Sequence, residues 1–179
     1  NRVPRYPHGA TARDLYDRGL IDNEVIRSQR FTKVLSKFDL VDETLSATLS
    51  YEYLYGCPKK CNLIPHAKDV LDYLAQNYRL TLVTNGFEEI QHVKLSSGNI
   101  THYFDHVITS QKAGHKKPAR EIFDYALAVN NVACHDVIMI GDNLVTDIGG
   151  ARNACIDTVF YNPAALEHTA EVSYEIRCL

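Results

Sequence analysis

The sequence predicts an α/β fold in which a parallel sheet is covered by helices, preceded by a purely helical region. Three observations lead to it. From Pro65 onward, short apolar runs rich in β-formers alternate with stretches of helical periodicity, the rhythm of strand–helix crossovers. The run over residues 137–140 is almost wholly apolar, as expected of a strand buried on both faces. Before about residue 60 there is helical periodicity and no convincing strand.

Residues 1–10, with Pro4, Pro7 and Gly9, read as irregular. Phe31, Val34, Leu35 and Phe38 then follow the i, i+3, i+4, i+7 spacing of one helix face, and Asp22 is placed to cap that helix. Leu45, Thr48, Leu49 and Tyr53 suggest a second helix. Pro65 suits the first turn of a third, with Ala67, Val70, Leu71 and Leu74 as its apolar stripe. A strand over 80–83 ends at Thr84-Asn85-Gly86, and a helix over 87–97 is stopped by Gly98. A strand over 106–109 precedes a helix over 120–130 that turns Ile122, Phe123, Ala126 and Val129 inward. The apolar strand 137–140 ends at Gly141-Asp142, followed by a helix over 144–154 and a strand over 158–161.

Bulk composition narrows the classes of function. The 179 residues, 45% hydrophobic and 23% charged, suffice for one ordinary domain with a small appended subdomain. A net charge of −3 offers no basic field to a nucleic-acid polymer or an anionic membrane. No apolar run approaches the roughly 20 residues of a transmembrane helix, and the first ten residues lack the apolar stretch of a signal peptide. Five scattered cysteines fit a reducing compartment, the cytoplasm, better than a disulfide framework. Cys57 and Cys61, with His66 nearby, raise the question of zinc. Three residues separate the pair and no second pair follows at finger spacing, so a plain loop is expected.

In parallel α/β sheets, ligands sit beyond the carboxyl ends of the strands, which makes polar residues placed directly after strands the first suspects. Three groups qualify. Leu82-Val83-Thr84-Asn85-Gly86 puts a hydroxyl and backbone N–H groups ahead of a helix, where they can hold a phosphate; alone, it is also ordinary turn chemistry. Gly114-His115-Lys116-Lys117-Pro118 fixes a lysine before a proline, where its ammonium can neutralise a phosphate and a carboxylate; alone, it is also a solvated basic loop. In Gly141-Asp142-Asn143-Leu144-Val145-Thr146-Asp147 the glycine turns the chain sharply off a buried strand. Asp142 is then a hard oxygen ligand for Mg²⁺, or simply a helix N-cap. Asp147 lies in the next helical turn, able to orient water on a metal or to pair with a lysine.

Taken together, Thr84, Lys117, Asp142 and Asp147 in this order resemble motifs two, three and four of the haloacid dehalogenase superfamily. The resemblance runs over residues 63–163 and takes in Gly149-Gly150-Ala151 and Phe160-Tyr161-Asn162-Pro163. It implies a Rossmann-like sheet with flanking helices, residues 61–179 forming this core without its first strand and residues 1–60 the later part of a helical cap. It also implies a Mg²⁺-dependent phosphomonoester hydrolase working through an aspartyl-phosphate. Thr84 would bind the transferring group, with Asn85 helping through its backbone amide, and Lys117 would stabilise its charge. Asp142 would hold Mg²⁺, and Asp147 would support the metal's water or Lys117. The entry Leu63-Ile64-Pro65-His66-Ala67 is similar to the pyrimidine 5′-nucleotidase group, which implies a nucleoside monophosphate, or another small phosphorylated metabolite, as substrate.

The sequence departs from that pattern where the family carries its nucleophile, an Asp-x-Asp at the end of a first strand: no Asp-x-Asp occurs in it. Asp39-Leu40-Val41-Asp42 is spaced one residue too wide. An extended chain alternates faces at every residue, so these two carboxylates would point apart, and the preceding residues 33–37 read as helix. Residue 1 is therefore expected to lie inside the cap, with about 60 residues upstream. Arg120 stands where relatives carry a second proline. The alternatives are a metal-independent 2-haloacid dehalogenase, for which a Gly-Asp turn poised for Mg²⁺ has no purpose, and an inactive fragment or binding module.

Overall fold

The computed structural model describes residues 15, 20 and 23–179; the expectations for residues 1–10 and for Asp22 lie outside the described residues. The chain divides into two compact units, Asn1–Lys59 and Lys60–Leu179.

In the first unit, helix α1 (Asn23–Ser36) packs on helix α2 (Glu43–Gly56), and a 3₁₀ turn, Cys57–Lys59, follows. Asp42 caps α2 by accepting the Leu45 N–H at 2.8 Å, and Asp39 sits in the turn with φ +56°. The two aspartates thus occupy a turn and a helix start, not a strand. Leu35 is buried and Phe31 meets Tyr53 edge-on at 5.7 Å. Val34 and Phe38, expected on the same inward face, are exposed, as are Leu45, Thr48 and Tyr53 on α2. The reason is geometric: α1 and α2 cover each other along one narrow strip. Its buried centre is Ser46, whose hydroxyl lies 2.8 Å from that of Thr32.

The second unit opens with helix α3 (Ala67–Asn77). It starts two residues later than Pro65 would set it, because His66 takes a left-handed conformation, φ +63°. Within it, Ala67, Val70, Leu71 and Leu74 are the half-buried positions, the predicted stripe. Then come β1 (Thr81–Thr84), α4 (Glu88–Ser97), β2 (His106–Thr109), the short α5 (Ser110–Ala113) and α6 (Arg120–Asn130). β3 (Ile138–Gly141) leads into a wide π-helical segment, Leu144–Gly149, and then α7 (Gly150–Asn153), where sequence periodicity predicts one helix; β4 (Asp157–Tyr161) and β5 (Tyr174–Ile176) close the chain.

All strand pairs are parallel, in two sheets. β1 pairs with β2, Thr84 opposite Thr109; β3 pairs with β4, Gly141 opposite Phe160; and β4 pairs with β5. One core serves both sheets, with Ile122 and Phe123 of α6 packed among Ile108 of β2, Ala151 of α7 and Ile156. Val129, expected inward on α6, is 37% exposed, since it falls in the last turn, where Asn131 ends the helix in a left-handed conformation.

The strand expected to be buried on both faces is not. Ile138 and Ile140 are 47% and 44% exposed: they share one face of β3, while Met139 and Gly141 on the other are half-buried. Apolar sequence records what a strand is built to bury, not what covers it.

At the far edge, Asn162 ties the end of β4 to β5: its side-chain amide donates to Glu175 at 2.9 Å, and His168 Nε2 lies 3.2 Å from the same carboxylate. These two contacts, the Asn162 bond first, hold the Glu175 carboxyl below its ordinary 4.5. A depressed folded value means that the contribution to stability is complete above the unfolded value and is lost as pH falls through the folded one. The Tm gap between the parent and Glu175→Gln is therefore expected to be widest at neutral pH and to close below 4.5. A gap that stays constant down to about pH 3 would sink this assignment.

Candidate active site

The second unit joins three of the five sequence-predicted site residues, Asn85, Lys117 and Asp147, by hydrogen bonds, with Thr84 next to Asn85 in the chain. Thr84 is the last residue of β1, and its Oγ1 accepts the Gly86 N–H at 2.9 Å. A hydroxyl has one proton and two lone pairs, so this bond uses a lone pair and leaves the proton to donate. Next to it, Asn85 is 3% exposed. Its Oδ1 accepts the Lys117 N–H at 2.8 Å, and its Nδ2 donates to the Lys117 carbonyl at 2.9 Å. Sequence reasoning gave Asn85 a role only through its backbone amide; the side-chain clasp was missed, because it joins residues 32 positions apart.

Lys117 precedes α6, and its Nζ donates to Asp147 Oδ1 at 2.6 Å, with the two side chains only 10% and 9% exposed. Burying a charge alone is costly, and a partner with further hydrogen bonds offsets that cost. Asp147 has such bonds. Its Oδ2 accepts the Asn143 N–H at 3.2 Å, and the Thr146 hydroxyl lies 3.4 Å from Oδ1. An ammonium carries three N–H donors, so two remain on Lys117 beyond this bond.

Asp147 approaches the end of β3 so closely that only a glycine fits there. A Cβ on Gly141 would lie 2.6 Å from Asp147 Oδ2 and 2.7 Å from its Cγ. The π-helical segment carries Asp147 to this point, and wide turns of this kind are often found at functional sites. At its head, Asn143 is the cap, accepting the N–H groups of Val145 at 3.0 Å and Thr146 at 2.8 Å. The helix-cap alternative for Asp142 therefore falls, because its neighbour performs that task.

Asp142 follows Gly141 at the same end of β3, exposed, and its carboxylate makes no hydrogen bond or ion pair among the described residues. A free, hard, anionic oxygen donor is what Mg²⁺ prefers, and that ion commonly takes one or two carboxylates and completes its shell with water and substrate oxygens. The donor set fits Mg²⁺ in kind, with Asp142 as the ligand this segment supplies. Among the described residues no group of three or more His, Cys, Asp and Glu side chains is placed to hold a metal ion. Cys57 lies in the 3₁₀ turn, Cys61 in a loop, and all five cysteines are free thiols. No described helix is long and apolar enough to cross a membrane.

A family model described as haloacid dehalogenase-like hydrolase matches residues 29–161. The pyrimidine 5′-nucleotidase PynA of Streptococcus pneumoniae is 31% identical over 160 residues, covering 87% of this chain and 67% of that protein. YfnB of Bacillus subtilis, named as a HAD-hydrolase, is 28% identical over 167 residues, covering 92% of this chain and 70% of its own. Its magnesium-bound crystal structure superposes with a TM-score of 0.85, covering 94% of this chain and 74% of that one. The L-2-haloacid dehalogenase of Xanthobacter autotrophicus, at 19% identity and a TM-score of 0.70 over 87% of this chain and 71% of that one, shares the fold. The chain thus spans about two thirds of the length of these two curated relatives.

Proposed function

The chain belongs to the haloacid dehalogenase-like hydrolases, and on that footing we propose that it supplies the phosphate-binding and charge-stabilising half of a phosphomonoester hydrolase acting on small phosphorylated metabolites in the cytoplasm, nucleoside monophosphates first among them. The observation that carries the reading is the ammonium of Lys117, fixed by Asp147 and tied by its own backbone to the residue after Thr84. Such an arrangement serves negative charge that grows on phosphoryl oxygens during transfer.

Each side chain has a definite task. The Thr84 hydroxyl, its lone pair occupied by Gly86, donates its proton to a phosphoryl oxygen. Lys117 turns its remaining N–H donors to the same group and loses no energy reorganising, since Asp147 already holds it in place. Asp142 would hold Mg²⁺, which supplies Lewis-acid stabilisation of phosphoryl oxygens when bound. The aspartate pair that attacks and protonates in this family has no counterpart among these 179 residues, which therefore carry the binding and electrostatic terms only. The likeness to PynA favours a pyrimidine nucleotide; sugar phosphates are the next candidates.

The test is phosphate release by the full protein from nucleoside 5′-monophosphates, sugar phosphates and an aryl phosphate, with and without Mg²⁺. Metal-dependent release is expected. Halide release from a 2-haloacid without metal, in place of phosphate release, would overturn the proposal in favour of a dehalogenase. Asp142→Ala is expected to lower the rate and to raise the Mg²⁺ concentration needed for half-maximal activity, each by at least about tenfold. An unchanged rate removes Asp142 from the site.

A further inference from the structure

We infer that Asn85 is the positioning residue of this site, acting through its side-chain amide rather than through its backbone, by fixing the main chain from which Lys117 projects. Its effect on rate rests on the phosphoryl-transfer reading above; its effect on the main chain does not.

The ion pair to Asp147 fixes the far end of the Lys117 side chain at Nζ. A lysine side chain has four rotatable bonds before that point, and its near end must be fixed as well if the ammonium is to meet a phosphoryl oxygen to within a fraction of an ångström. In the segment that carries it, the Lys116 carbonyl accepts the Ala119 N–H at 2.9 Å. After α5 the chain turns through Gly114 at φ +74°, and Gly114 and His115 are exposed. Asn85 restrains Lys117 itself by bonding both polar groups of that one residue, its N–H and its C=O, at 2.8 and 2.9 Å, from a side chain 3% exposed.

The chemistry is selective. A carboxamide presents one donor and one acceptor side by side, matching the N–H and the C=O of a single residue. Aspartate keeps the acceptor and has no donor, so it sets a carboxylate against the Lys117 carbonyl. Leucine, of similar shape, keeps neither and leaves both backbone groups buried without a partner. The two substitutions therefore grade the loss.

In the full chain, kcat for an aryl phosphate is expected to fall in the order parent, Asn85→Asp, Asn85→Leu. The last would lose about a hundredfold, the size of effect that an ångström of misplacement produces, while KM stays within about threefold. Hydrogen exchange at the Lys117 amide should be faster in Asn85→Leu than in the parent. Parent-like kcat in both variants, or a rise in KM with kcat unchanged, overturns the inference. An inactive parent counts against the proposed function alone, and the exchange rate at Lys117 then decides the role of Asn85. If neither variant folds, exchange in the parent decides: a Lys117 amide as unprotected as that of exposed His115 overturns it, and a protected one supports it.

Discussion

Lys117→Met is expected to lower kcat for phosphate release by about 10²–10³ and to destabilise the fold by about 3–5 kcal/mol. Both effects come from one contact. The Lys117 and Asp147 side chains, 10% and 9% exposed, meet at 2.6 Å, so removing the lysine leaves a carboxylate that is desolvated and unmatched. A purely structural ion pair would produce the second effect without the first, and a second substitution separates them. In Lys117→Met/Asp147→Asn the stranded charge is gone while the carboxamide can still accept the Asn143 N–H. Denaturant unfolding should show most of the stability restored, whereas kcat should stay at the single-mutant level. Recovery of the rate along with the stability would mean that the ammonium has no catalytic part.

Gly141→Ala is the other substitution with a large expected effect, although it adds only a methyl group. The new carbon would press on the Cβ, Cγ and Oδ2 of Asp147, and Asp147 cannot swing aside without leaving Lys117 and the Asn143 N–H. Overpacking of this kind costs about 1–3 kcal/mol. The displaced carboxylate drags the ammonium with it, and a shift of about an ångström costs roughly a hundredfold in rate. Gly86→Ala provides the contrast. There the crowding atoms belong chiefly to the end of the Gln91 side chain, which is flexible and can move, so the loss should be far smaller. Equal losses in the two variants, measured as kcat and Tm, would refute the view that Asp147 is rigidly packed against the end of β3.

Much of the fold was legible because it is written locally. Helix α6 and strand β2 have the boundaries that apolar periodicity predicts, and the stripe on α3 consists of the four residues named from spacing alone. That Thr84 closes one strand and Asp142 follows another could be read because strand and turn signals are local. What escaped depends on which segments meet. Nothing near Asn85 in sequence announces that its amide will clasp a backbone 32 positions on. Asp142 and Asn143 are both competent helix caps, and only the path of the chain off β3 selects Asn143. The inward face expected for Val34 and Phe38 failed for a related reason: periodicity finds the apolar side of a helix, while the width of its partner decides how much of that side is covered.

The unpaired edges of β1 and β3 also govern how these residues behave in concentrated solution. An open strand edge is a row of free N–H and C=O groups, a template on which another extended chain can add. Along β3 that row is flanked by Ile138 and Ile140, both about half exposed, so an added strand would gain apolar contact along with its ladder bonds. Neither edge is shielded by a proline, and neither strand carries a lysine, which are the usual guards against such growth. A net charge of −3 repels neighbouring copies only weakly. The colloidal stability of these residues therefore turns on whether the open edge of β3 is covered.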